Sequence, residues 1–155
     1  MGTATSRQNT KTRKAYSLWF RKKASESRSI QSEFVPTWDN TIPFIPPVEG
    51  GLVIKVYDGD TITIATQVYD DPTMYRFSVR LLGINAPEIR TRDADEKRSA
   101  KVAQQVLSDA VIGKNVTLKN VTVEKYGRLL ADVYLGDQNI NEYLLQNQVV
   151  EPYMC

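Results

Sequence analysis

Four charged or polar clusters in this chain have the residue types for chemistry on a phosphate. They are Asp58-Gly59-Asp60-Thr61, Arg80, Asn85-Ala86-Pro87-Glu88 and Glu124-Lys125-Tyr126-Gly127-Arg128. Each has a plain alternative. Asp58-Gly59 is a hairpin turn signal, Arg80 alone fits a solvated strand residue, Glu88 fits a loop charge, and Lys125-Tyr126-Gly127 fits a charged hairpin connection. Read together, they supply two guanidinium groups, metal-binding carboxylates and a further glutamate. Guanidinium groups match phosphate oxygens in pairs and stay charged, so they can stabilise the extra negative charge of a pentacoordinate transition state. A hard cation can polarise the phosphoryl oxygen, and a carboxylate can orient or deprotonate the attacking water. In this reading Asp60 is a cation ligand, with Asp58 and Thr61 supporting it.

Composition narrows the field. The chain has 155 residues and no histidine, and its only cysteine is Cys155. Histidine bases, Cys-His catalysis and zinc sites are therefore excluded, and any metal here must be a hard cation held by oxygen. No run of about 18 apolar residues is present to span a membrane, and no apolar secretory leader is visible. These features predict an intracellular, cytoplasmic protein. The net charge of +2 conceals an asymmetry: residues 1–32 carry eight Lys/Arg against one Glu, and residues 33–155 carry twelve against seventeen acidic residues. A basic arm is thus attached to a mildly acidic body, and nucleic acid or an anionic membrane surface would suit the arm.

The elements that must position these groups follow from periodicity. Residues 1–32 are poor in aliphatic residues and read as a flexible arm, although "KAYSLWFRKKA" could form a short helix. Residues 33–49, with Pro36, Pro43, Pro46 and Pro47, read as a linker, and residues 50–155 as the folded domain. "GLVIKVYD", "DTITIAT" and "MYRFSVRLL" are strand-like. Asp93 to Ile112 reads as a helix. Asp93 and Glu96 form its capping box, Ala100, Ala103, Val106, Leu107 and Ala110 its apolar stripe, and Gly113 its C-terminal stop. "NVTLKNVTV" and "RLLADVYL" are two more strands, and "INEYLLQNQ" is a second short helix. The order β-β-β-α-β-β-α predicts a β-barrel with helices, a five-stranded OB fold.

With "VYDGDT", "RLLGINAPE", "EKYGRLLADVY" and "NINEYLLQ" in this order, residues 52–153 resemble the staphylococcal nuclease-like (thermonuclease) domain. The resemblance implies a Ca²⁺-dependent nuclease acting on DNA and/or RNA, with Mg²⁺ the less suitable ion. It places the catalytic roles on Arg80, Glu88 and Arg128. It places metal ligation on Asp60, Asn85 and the Ala86 carbonyl, and substrate contacts on Lys125 and Tyr126. Asn85 stands where the family prototype has aspartate, Ala86 where it has threonine, and Glu124 where it has aspartate. Base-stacking aromatics are reduced to Tyr153 or Met154. The alternative is a non-catalytic OB module that binds nucleic acid or a protein partner. Separately, "MGTATS" fits an N-myristoylation acceptor pattern on Gly2. With Arg7, Lys11, Arg13 and Lys14 close behind, it predicts membrane association by one acyl chain plus a basic patch.

Overall fold

Strict alternation sets the inner face of the strands. In the computed structural model, which describes residues 35–154, Leu129, Ala131 and Val133 are buried on one strand while the residues between them are not. Val116 and Leu118 on the preceding strand and Val79 and Leu81 on the third repeat the pattern. Side chains two apart share one face of a strand, so these residues line one interior with Val53, Ile62 and Ile64.

The strands in chain order are β1 (Gly50–Asp58), β2 (Thr61–Gln67), β3 (Met74–Leu81), β4 (Ile84–Asn85), β5 (Asn115–Val123), β6 (Leu129–Leu135), β7 (Gln138–Asn139) and β8 (Glu151–Pro152). The main sheet runs β3-β2-β1-β5-β6-β7. It closes because β3 also pairs in parallel with β6, Val79 opposite Leu129 and Leu81 opposite Ala131. The result is the closed five-stranded barrel of OB type that the strand order predicts. All other pairings in the sheet are antiparallel.

Helix α1 (Ala94–Val111) follows β4, and helix α2 (Ile140–Gln146) follows β7. The Asp93 side chain caps α1 by accepting from the backbone N–H groups of Asp95 and Glu96 at 2.7 and 3.1 Å. The reciprocal half of the expected capping box is not made. Glu96 Oε1 instead accepts from the Glu88 N–H at 3.4 Å, and the Asp93 N–H donates to Thr91 Oγ1. Ala100, Ala103, Leu107 and Val111 form the buried face of α1. The small alanines allow a close approach: a Cβ on Gly59 would lie 2.6 Å from Ala103 Cβ and 2.8 Å from Ala86 Cβ. Gly59 is therefore required for contact, rather than for an unusual turn conformation.

Asn141, at the start of α2, is buried yet fully used. Its Oδ1 accepts from the Val133 N–H at 3.0 Å, and its Nδ2 donates to the Leu82 carbonyl at 2.8 Å. It ties the helix to the end of β3 at the barrel's closing seam.

The chain divides into two compact units, Met1–Ile42 and Pro43–Cys155. The second begins seven residues before the expected domain start at Gly50. Val48 is part of the core, and the Glu49 carbonyl accepts from the Leu118 N–H, which makes an added rung beside β5. The end of the proline-rich segment is thus barrel rather than linker. In the first unit, residues 35–41 form a local turn, with Asn40 Oδ1 accepting from the Thr37 N–H. Gly2, the basic arm, "KAYSLWFRKKA" and Cys155 lie outside the described residues.

Candidate active site

Three segments meet at one end of the barrel: the β1–β2 turn, the β3–β4 segment, and the hairpin between β5 and β6. The β1–β2 turn carries Asp60, which is almost fully buried. A carboxylate in such a place must be paired, and every described contact meets that need. Asp60 Oδ2 lies 2.7 Å from Arg80 Nη1 and accepts the Ala86 N–H at 3.1 Å, while Oδ1 accepts from Thr61 Oγ1 at 2.9 Å. Strand pairing explains the meeting, because Thr61 stands opposite Arg80 in the β2–β3 ladder. The Leu81 N–H also donates to the Asp60 carbonyl at 2.9 Å, which fixes the turn.

Arg80 is held on a second side. Its Nη2 donates to Asn85 Oδ1 at 2.8 Å and to the Ile84 carbonyl at 3.4 Å. The guanidinium therefore occupies oxygens of both Asp60 and Asn85, two of the expected cation ligands. β4 keeps Asn85 in place by pairing with β8, Asn85 opposite Glu151.

Asp58 differs from Asp60 in its surroundings. Its Oδ1 is buried with no hydrogen-bond partner among the described residues. Burial, and then the neighbouring charge of Asp60, push its carboxyl from an ordinary 3.8 up to about 6. Both causes disfavour the ionised form.

A cleft of about 470 Å³ opens over these groups, and Asp58, Asp60, Arg80, Glu88 and Arg128 all line it. Glu88 is solvent-exposed, and its carboxylate bonds to no other described residue. Arg128 comes from the far hairpin, where its Nε donates to Glu124 Oε1 of the same turn. That turn is closed by the Gly127 N–H donating to the Glu124 carbonyl, with Gly127 at φ +77°, a conformation that favours glycine. Three arginines and three carboxylates line the cleft, because Arg90 joins them.

Thus the structure brings Asp58, Asp60, Arg80, Ala86, Glu88 and Arg128 to one cleft, with Thr61 bonded beneath Asp60 and Asn85 reaching in through Arg80. Lys125 and Tyr126 are not part of its lining. They stand at the exposed tip of the β5–β6 hairpin, Lys125 Nζ 5.6 Å from the centre of the Tyr126 ring. Tyr153 and Met154 are exposed just beyond β8, where the Tyr153 N–H donates to the Gly83 carbonyl. A second cleft of about 640 Å³ shares Ala86, Pro87 and Glu88 with the first, is lined by Asn85 as well, and runs along α1 to residues 148–151. Sequence reading missed Tyr57, Arg90 and Gln104, which also line the first cleft. The basic Arg90, two residues after Glu88, carried the only signal of the three.

All the candidate cation donors are oxygens, and the half-buried Asp58 carries a buried oxygen with no partner among the described residues. That donor chemistry fits a hard divalent cation. It is sparse in charge, since among the described residues no group of three or more acidic side chains is placed to hold an ion.

Residues 78–151 match the model of the family described as staphylococcal nuclease homologue. An uncharacterized endonuclease of Haemophilus influenzae is 34% identical over 101 residues, 65% of this chain and 51% of that protein. An uncharacterized endonuclease of Escherichia coli is 32% identical over 97 residues, covering 62% and 56%. The thermonuclease of Staphylococcus intermedius is 34% identical over 95 residues, covering 60% and 53%. The chain spans about half the length of the curated relatives it matches. The family match runs from β3 to the start of β8, through both helices and the arginines and glutamate of the cleft, so residues 78–151 are similar to the staphylococcal nuclease homologues.

Proposed function

We propose that this protein is a metal-dependent nuclease that hydrolyses phosphodiester bonds of DNA and/or RNA, with Ca²⁺ as the ion and internal bonds as its targets. The observation that carries this reading is the convergence of Arg80, Arg128, Glu88 and Asp60 from separate segments on one cleft. A binding-only barrel would have no use for an exposed glutamate, unpaired among the described residues, in one cleft with two anchored arginines.

The substrate phosphate sits between the two guanidinium groups. Arg80 is held rigid by Asp60 and Asn85, and Arg128 by Glu124. Anchoring fixes their N–H donors before the reaction, so little reorganisation is needed as charge develops. Among the described residues Glu88 has no partner to hold its proton-accepting oxygens, and it orients or deprotonates the attacking water. Arg128, or a water beside it, stabilises the departing oxygen. Asp60 and Asn85, with the Ala86 carbonyl and Asp58 close by, are the residues that would hold the cation. When bound, the cation supplies charge neutralisation at the phosphate. Without it the positive and negative groups of the cleft are equal in number, so the ion is what makes the cleft attractive to a polyanion. Lys125 and Tyr126, at the hairpin tip, meet the chain of a longer substrate.

The test is cleavage of single-stranded DNA and of RNA in parallel with Ca²⁺, Mg²⁺ and chelator. Expected is cleavage with Ca²⁺ that chelator abolishes. No cleavage of either polymer with any ion would leave the binding-module reading in its place. We also propose that Gly2 is acylated and that the basic arm holds an anionic surface. Mass spectrometry of protein from a eukaryotic host, showing no added acyl mass, would end that proposal.

A further inference from the structure

Tyr57 has no paired residue in the barrel. Val56 pairs with Ile62 and Asp58 with Thr61, so the β1–β2 ladder is irregular at Tyr57. Such a bulge leaves a backbone group unmatched and re-aims a side chain, and bulges are over-represented beside active sites. Here the irregularity is secured from outside the sheet. Gln104 on α1 donates from Nε2 to the Tyr57 carbonyl at 2.8 Å and to the Val56 carbonyl at 3.4 Å.

The consequence is an aromatic ring on the rim of the cleft. Tyr57 lines it beside Glu88, Arg90 and Arg128, and 46% of the residue is exposed. Two cations accompany the ring: Lys55 Nζ is 5.6 Å and Arg90 Cζ 6.0 Å from its centre. Both lie near the outer reach of cation–π attraction. An exposed ring flanked by two exposed positive side chains, in one cleft with Arg80 and Arg128, has the make-up of a single-strand track. In such tracks bases stack on aromatics while cations follow the backbone.

We propose that Tyr57 is a stacking platform for an unpaired base beside the scissile phosphodiester, and that Lys55 and Arg90 hold the flanking phosphates. The inference rests on the nuclease reading and narrows its substrate class to single-stranded nucleic acid, or to locally opened duplex. A paired base keeps both faces against its neighbours in the stack and offers none to the ring. Tyr57 is a substrate-positioning group in this proposal and takes no part in proton transfer.

The experiment is steady-state cleavage of an oligothymidylate of ~10 nucleotides, free and annealed to its complement, by wild type, Tyr57→Ala and Tyr57→Phe. Wild type is expected to show a lower KM for the free strand than for the duplex. Tyr57→Ala should raise the free-strand KM by about tenfold with kcat little changed, so that the preference disappears, and Tyr57→Phe should restore it. An unchanged free-strand KM in Tyr57→Ala, or an equal rise for strand and duplex, overturns the platform while leaving the nuclease intact. Wild-type protein that cleaves neither strand overturns the nuclease reading itself.

Discussion

Two of the three arginines that line the cleft, Arg80 and Arg128, are held in opposite ways. Arg80 is tied across three segments, to Asp60 in the β1–β2 turn and to Ile84 and Asn85 beyond β3, and its side chain is only 18% exposed. Among the described residues Arg128 is tied only to Glu124, four residues away in its own hairpin, and its side chain is 33% exposed. One is part of the barrel's construction, while the other is presented by a loop. Under the proposed function the same chemistry therefore carries different structural obligations: Arg80 would grip a phosphate as well as neutralise a buried carboxylate, whereas Arg128 would have only the substrate to serve.

Substitution should separate these obligations. Arg80→Ala leaves Asp60 buried without its counter-charge, and breaking such a pair costs about 3 kcal/mol or more. Expected is loss of nearly all cleavage together with a clear fall in the urea midpoint. An unchanged midpoint would mean that Arg80 is no more structural than Arg128. Arg128→Ala should lower kcat by about 100-fold with a melting temperature close to wild type, and near-wild-type cleavage by this variant would remove Arg128 from the site.

The two aspartates of the β1–β2 turn sharpen the contrast further. Asp60 is satisfied on every described side, while Asp58 holds an unpartnered oxygen and a pKa of about 6. The folded state binds the Asp58 proton more tightly than the unfolded chain does. Its contribution to stability is therefore greatest below pH 3.8 and is lost as the pH rises through about 6. In chelator, Asp58→Asn should thus stabilise the protein at pH 7–8 by about 1–2 kcal/mol, after allowance for solvent screening. It should change little at pH 4. An equal effect at both pH values would show that Asp58 is not strained in the folded state.

The smallest effect concerns Asn85. Under the proposed function it offers a neutral oxygen where a carboxylate would add charge, and ligand charge helps tune cation affinity. Asn85→Asp should lower the Ca²⁺ concentration for half-maximal cleavage by several-fold. An unchanged requirement would show that Asn85 serves only to hold Arg80.

Local pattern made much of this legible in the sequence. Alternation on β6 and the Asp93 cap of α1 follow from neighbours in the chain, and so did the strand order that closes the barrel. Asp58, Asp60, Arg80, Glu88 and Arg128, which the cleft brings together, stood out because each is a charged group at a strand end, loop or turn. What the chain concealed depends on distant partners. Glu96 leaves the capping box for the Glu88 N–H because β4 carries the loop over the helix. Tyr57 looked like one more strand residue, because a bulge secured by Gln104 is visible only once α1 lies against β1. Asn141 lay unremarked in the second short helix and is a buried link at the seam. Lys125 and Tyr126 adjoin Arg128 in sequence, yet the hairpin sends them outward while Arg128 reaches the cleft.

The most direct test of the site as a hydrolytic centre is Glu88→Gln, assayed for single-strand cleavage in saturating Ca²⁺ beside its thermal melt. Glu88 is exposed and supports no other described side chain, so the melt should match wild type while kcat falls by at least about 100-fold. Cleavage within a few-fold of wild type by the folded variant would contradict a catalytic glutamate and, with it, the cleft as the site of phosphodiester hydrolysis.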